Sequence, residues 1–188
     1  MIQANLVGII WIIFLAYWWI SATKAKKSAK IENQSQMQRT GFRILIIIIV
    51  FLLLQLPDVK TFFYHDFIAS YAIKIVGLIF FIVGLALAVW ARIYLGRNWG
   101  VPMSLREKHE LITTGPYAWV RHPIYSGFLL AMLGSGLADS FIWLVIFIYL
   151  CIYFIYSAKV EEKMMAEIFP DQYPEYKKRT KMLIPFVL

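Results

Sequence analysis

The sequence predicts an all-α fold, a polytopic transmembrane helical bundle of about five spans, and three observations carry that expectation. Of 188 residues, 61% are hydrophobic and only 16% charged, far from the mix of a soluble domain. The apolar residues gather in five runs, each long enough or nearly so to cross a hydrocarbon core of ~30 Å as a helix. The positive charges lie between those runs and are strongly biased to one side.

The first run, Leu6 to Ile20, follows an uncharged start, Met1 to Asn5, without a small-residue cleavage site, so a retained first helix is expected. Lys24 to Gln38 is polar and lacks apolar periodicity; within 22–41 it reads as a flexible cytosolic linker. The second run, Phe42 to Leu56, contains Gln55 and stops at Pro57. A third spans Tyr71 to Ala91. The fourth and fifth, Ile124 to Ala138 and Phe141 to Ser157, are separated only by Asp139 and Ser140 and should form a tight helical hairpin. Tilt or local thinning accommodates the shorter spans. Gly77 and Gly84 in the third run, and Gly134 and Gly136 in the fourth, are placed to let helices pack closely.

Charge sets the topology. Seventeen of the nineteen Lys and Arg residues lie in the first loop, the third loop and the C-terminal tail; only Lys60 and Lys74 fall in the loop between the second and third runs. Short cytoplasmic loops retain Lys and Arg, so five crossings put the N-terminus outside and the C-terminus in the cytoplasm. A compact plan of this kind suits a bacterial cytoplasmic membrane. Two polar stretches, Arg92 to Pro123 and Lys159 to Leu188, then share one face and can fold against each other.

The formal charge of +8 reports this orientation rather than a nucleic-acid partner. Cys151, the single cysteine, excludes an intramolecular disulfide. His-Glu-x-x-His, Cys-x-x-Cys and Gly-x-Ser-x-Gly patterns are absent, so no metal site is expected.

The richest stretch is Gly115-Pro-Tyr-Ala-Trp-Val-Arg-His-Pro-Ile-Tyr-Ser-Gly127. Pro116 and Pro123 restrict their own backbone and bias Gly115 and His122 away from helix, so Tyr117, Arg121 and His122 should sit on a shaped loop that can present groups to a ligand. The alternative is an interfacial anchor, with Tyr117, Trp119 and Tyr125 in an aromatic belt and Arg121 on a lipid phosphate. His109 opens His109-Glu-Leu-Ile112, a short strand or turn that could close over a ligand; as a lone histidine it reads equally as a surface residue. Glu161 and Glu162 follow the fifth run as the helix leaves the membrane. Neighbours on a helix point about 100° apart, so one can face the bundle, Glu161 by preference, while the other faces water.

Taken together, Gly115-Pro-Tyr, Arg121-His-Pro-x-Tyr-x-Gly127, a hairpin, Glu161-Glu162, Phe169-x-x-x-Tyr-x-x-Tyr176-x-x-x-Thr180 and Ile184-Pro185 resemble the isoprenylcysteine carboxyl methyltransferase family, over roughly Arg92 to Leu188. The resemblance implies S-adenosylmethionine as cofactor, in a cytosolic pocket made by the loop before the fourth span and the C-terminal tail. By motif, the cofactor contacts fall on His109, Glu110, Leu111, Ile112, Tyr117, Arg121, His122, Pro123, Ile124, Tyr125 and Glu161. A single integral membrane domain over 1–188 follows, with three N-terminal helices in 1–91 and a catalytic half in 92–188. Where the family's lipid-substrate enzymes place an arginine for the acceptor carboxylate, four residues before the glutamate, this chain has Ser157; Lys159, about 200° further round the helix, is aimed differently.

The implied reaction is an in-line methyl transfer to an acceptor reached from the bilayer: an isoprenylcysteine carboxylate, a lipid amine or a small thiol. Positioning and exclusion of water supply most of the catalysis. Catalytic roles fall on Glu161, Glu162 and His109: if the acceptor must lose a proton, His109 or Glu162 would take it, with Glu161 on the cofactor. Rival readings are a sterol-type membrane reductase using NADPH and a non-catalytic scaffold or small transporter. Nothing in the sequence fixes an oligomeric state.

Overall fold

The computed structural model describes residues 2–23, 70–99 and 110–185. The second predicted run, most of the linker and His109 lie outside the described residues. Within them the fold is helical: α1 (Ile2–Thr23), α2 (Tyr71–Leu95), α3 (Pro123–Ala138), α4 (Ile142–Ile168) and α5 (Gln172–Arg179), with 3₁₀ turns at Gly96–Asn98 and Gly115–Ala118. Among the described residues the only β-type pairing is a single parallel bridge, Val120 to Lys181.

Two helices, α2 and α4, are long and apolar enough to cross a membrane; α1 (over Leu6–Ser21) and α3 contribute shorter apolar stretches. Their outward residues fit a hydrocarbon solvent, as with Ile12 and Ile152, each 69% exposed. At 1.5 Å per residue, the twenty residues from Ile142 to Glu161 cover about 30 Å, the thickness of the core. The two glutamates therefore stand at the edge of the span, and the last turns of α4 continue beyond it. This is the continuation expected past Ser157.

The tightest packing is between α2 and α3, and small residues make it possible. A Cβ on Gly84 would meet the backbone of Ala131 and Gly127, and one on Gly134 would meet the backbone of Phe81 and Gly77. With no side chain in the way, the two backbones touch and gain dispersion contacts in a medium without a hydrophobic driving force. The role expected for Gly77, Gly84 and Gly134 is the one observed; Gly136 instead faces Leu144 across the hairpin.

α1 packs through large aromatic side chains. Trp11 stacks on Trp143 at 5.6 Å and donates its indole N–H to Ser135 Oγ at 3.0 Å, while Trp18 meets Phe128 and Trp99 edge-on. These join Val7, Phe14, Phe81 and Ala131 in one apolar core. At the polar end of α2, buried Arg92 reaches Ser21 O of α1 and Gly96 O, each at 2.6 Å, and its guanidinium lies 4.8 Å from the Trp99 ring. A cation at a helix C-terminus, satisfied by carbonyls and an aromatic face, fixes where α1 and α2 end together. The hairpin turn is closed by Trp143 Nε1 donating to Asp139 at 2.7 Å.

Candidate functional site

The loop Gly115–His122 takes its shape from its prolines and one glycine. Gly115 has φ +60°, and any Cβ there would strike the Tyr94 ring. Pro116 then opens a 3₁₀ turn, and Pro123 is the first residue of α3, where its missing N–H costs nothing. His122 is left as the N-cap in non-helical backbone, φ −125° and ψ 59°.

The tail templates this loop. Arg121 N donates to Lys181 O at 2.8 Å, His122 N to Met182 O at 3.1 Å, and Ser126 Oγ to Leu183 O at 2.6 Å. Tyr173 and Tyr176, one turn apart on α5, supply its buried face. The polar loop and the tail therefore do fold against each other.

The loop, α3, α4 and α5, with Trp18 of α1 and Leu95 of α2, line a cavity of about 270 Å³. Of the expected contacts, Glu110, Leu111, Ile112, Tyr117, Arg121, His122, Ile124, Tyr125 and Glu161 line it. Pro123 does not; it is fully buried and starts α3. Glu110 to Ile112 are in neither helix nor strand, and Glu110 accepts from Asn98 Nδ2 at 3.3 Å.

The interfacial-belt reading fails for three of its four residues. Tyr117 and Tyr125 are buried, and the Arg121 side chain, 8% exposed, bonds to protein rather than lipid. Only Trp119 faces outward, edge-on to Trp90.

The two glutamates both point inward, which corrects the expectation that one would face water. Glu161 Oε1 accepts from Tyr125 Oη at 2.6 Å, and its Oε2 lies 3.4 Å from His122 Nδ1. Glu162, 6% exposed, takes Arg121 Nε at 2.6 Å and Lys177 Nζ at 2.7 Å. The reason is tertiary: α5 covers the side of α4 that a lone helix would give to solvent. Burial raises the Glu162 carboxyl, but contacts with His122, Lys177 and Arg121 outweigh it and bring it down to about 2. His122 Nε2 is 3.7 Å from Glu162, an ion-pair distance too long for a hydrogen bond. Burial lowers the His122 pKa, and the two carboxylates more than reverse this, so the net direction is upward.

The His122 ring stacks on Tyr125 at 5.4 Å, and Tyr125 on Phe154 at 4.4 Å. Two buried polar atoms of cavity-lining residues, Tyr117 Oη and His122 Nε2, have no hydrogen-bond partner among the described residues. Burial raises the Tyr117 phenol further from ionisation, so it stays a donor.

Other lining residues were not singled out from sequence, Trp18, Asn98, Trp99, Phe128, Phe154, Met164 and Met165 among them, while Tyr173 and Tyr176 entered only as part of the tail motif. On α4 the signal was present, since Phe154, Glu161 and Met165 recur at helical spacing on one face. For Trp18 and Trp99 there was none, because their place depends on how α1 meets α2. Ser157 has no exposure and Lys159 is exposed, so the two point to opposite sides of α4, as the 200° argument requires.

The family model described as phospholipid methyltransferase matches residues 72–172, more than half of the chain. The protein-S-isoprenylcysteine O-methyltransferase of Saccharomyces cerevisiae is 33% identical over 160 residues, 83% of this chain and 65% of that protein. Its Xenopus laevis counterpart is 28% identical over 133 residues, 69% of this chain and 46% of that one. The solved structure of a eukaryotic intramembrane Ras methyltransferase, an isoprenylcysteine carboxyl methyltransferase, superimposes with a TM-score of 0.56 at 26% identity, covering 84% of this chain and 55% of that one. The chain thus spans about half to two thirds of the length of these relatives. The reductase and scaffold readings gain no support. The resemblance expected from the motifs is shown, and the chain belongs to the phospholipid methyltransferase family.

Proposed function

We propose that the chain is an integral membrane methyltransferase that uses S-adenosylmethionine and acts on a lipid-like acceptor, with its tail on the cytoplasmic side as the charge distribution supports. The observation that carries this reading is the cavity at the membrane edge, where Glu161 lies beside buried, unpartnered Tyr117 Oη and His122 Nε2 and beneath aromatic rings.

These residues fit the cofactor. A carboxylate suits an ammonium or ribose hydroxyls, the aromatic side chains of Tyr117, Trp99 and Phe154 suit a sulfonium, and Tyr117 Oη and His122 Nε2 can take polar partners. When bound, S-adenosylmethionine supplies an electrophilic methyl group whose leaving sulfide is neutral.

The chain's own work is positional. Tyr125 holds the Glu161 carboxylate in one orientation, the aromatic wall excludes water, and ordering of this kind contributes up to ~7–11 kcal/mol when geometry is ideal. Glu162, brought to about 2 by its partners, is a weak proton acceptor at neutral pH, and we assign it to holding Arg121 and the tail.

The relatives' names specify isoprenylcysteine as acceptor. Here neither Ser157 nor Lys159 puts a cation at the cavity from this stretch of α4, which favours including a lipid amine and a small thiol among the acceptors screened. Titration calorimetry of the detergent-solubilised chain with S-adenosylhomocysteine tests the reading, with NADPH as control. Saturable binding weakened by Glu161→Ala or His122→Ala supports it; NADPH binding in its place would overturn it.

A further inference from the structure

The Tyr176 hydroxyl belongs to no ligand-facing role. It donates to the carbonyl oxygen of Tyr117 at 2.7 Å, buried, across 59 residues of sequence. Within the 3₁₀ turn the amides of Tyr117, Trp119 and Val120 use the carbonyls of Thr114 and Pro116, and no described amide uses that of Tyr117. Tyr176 thus satisfies the one carbonyl that sits directly behind the Tyr117 side chain.

That side chain is 6% exposed, packs with Ala91, Ile124, Tyr125 and Phe154, and carries an unpartnered hydroxyl in a cavity-lining residue. Tyr176 is itself fixed. Its own carbonyl accepts from Thr180 Oγ1 at 2.7 Å, Thr180 O accepts from Arg121, and Arg121 is held by Glu162. The chain of bonds closes back on the loop that bears Tyr117. Buried networks of this kind rigidify what they enclose when every member is satisfied.

We infer that Tyr176 is a positioning residue: its hydroxyl sets the turn at Tyr117 and so aims the Tyr117 hydroxyl at the ligand. The inference rests on the cofactor-binding reading above. Tyr176→Phe isolates the point, since it keeps the ring that packs α5 and removes only the donor.

In the detergent-solubilised chain, Tyr176→Phe should weaken S-adenosylhomocysteine binding about three- to tenfold, as expected for misdirecting one hydrogen bond from the Tyr117 hydroxyl to the ligand. Tyr117→Phe should weaken it to a similar degree, and the double variant should be no worse than Tyr117→Phe alone, because the aimed hydroxyl is then already gone. Multiplying losses would overturn the inference, since a merely structural contribution is independent of the Tyr117 hydroxyl.

A second readout needs no ligand: amide hydrogen exchange over 115–122 should quicken in Tyr176→Phe with the rest of the described helices unchanged. Unchanged exchange there would overturn the inference by itself. If the unmodified chain binds no S-adenosylhomocysteine, the cofactor reading falls, and the exchange result still decides the role of Tyr176.

Discussion

Tyr125 donates its hydroxyl to Glu161 Oε1 at 2.6 Å, joining the first turn of α3 to the emerging end of α4 across 36 residues. The bond leaves the carboxylate fixed at the cavity, with the tyrosine ring held between His122 and Phe154. Removing the acceptor charge should cost binding more than folding, because Glu161 is 25% exposed. Glu161→Gln is expected to weaken S-adenosylhomocysteine binding at least tenfold, and Tyr125→Phe about three- to tenfold, with thermal midpoints close to the parent. Calorimetry alongside thermal unfolding checks both. A large loss of midpoint in Glu161→Gln would make the glutamate structural.

The neighbouring glutamate should behave in the opposite way. Glu162 and Arg121, 6% and 8% exposed, form a buried pair, and removing one partner strands the other. Glu162→Ala is expected to destabilise by about 3–5 kcal/mol. Lys177→Met, which removes a half-exposed partner of the same carboxylate, should cost no more than about 1 kcal/mol. Unfolding in detergent, followed by tryptophan fluorescence, compares the two; equal losses would sink the distinction.

Acid should expose the same pair. The Glu162 carboxyl lies at about 2 when folded against an ordinary 4.5. A depressed carboxyl contributes stability that is fully present above its unfolded value, so the contribution should fade as pH drops from about 4.5 to about 2. His122 has the opposite sign: its raised value contributes stability below about 6.5 that is lost as pH climbs through the folded value. Midpoints measured from pH 3 to 9 should therefore fall at both ends. Glu162→Gln should flatten the acid limb, and an acid limb unaltered in that variant would contradict the assignment.

The α2–α3 contact predicts a steric failure far from the site. Gly84→Leu places a branched side chain against backbone that cannot move aside, and overpacking of this kind costs about 1–3 kcal/mol or more. Gly8, whose added Cβ would meet nothing within 4 Å, should accept Ala with little change. Yield of monodisperse protein in detergent separates the two; tolerance of Gly84→Leu would mean the helices are not in backbone contact.

Much of this was legible in the chain itself. Hydropathy marked the four apolar helices among the described residues, because a membrane rewards uniform apolarity over about 20 residues and little else. Pro116, Pro123 and Gly115 announced a shaped loop, since their backbone preferences are local. Tertiary structure decided the rest. That Glu162 is buried rather than given to water depends on α5 lying over α4, a contact between segments that helical phase on α4 cannot encode. The same holds for the Tyr176 hydroxyl, whose partner is a backbone carbonyl 59 residues away: any residue offers a carbonyl, so the sequence carries no mark of which one a buried donor will find.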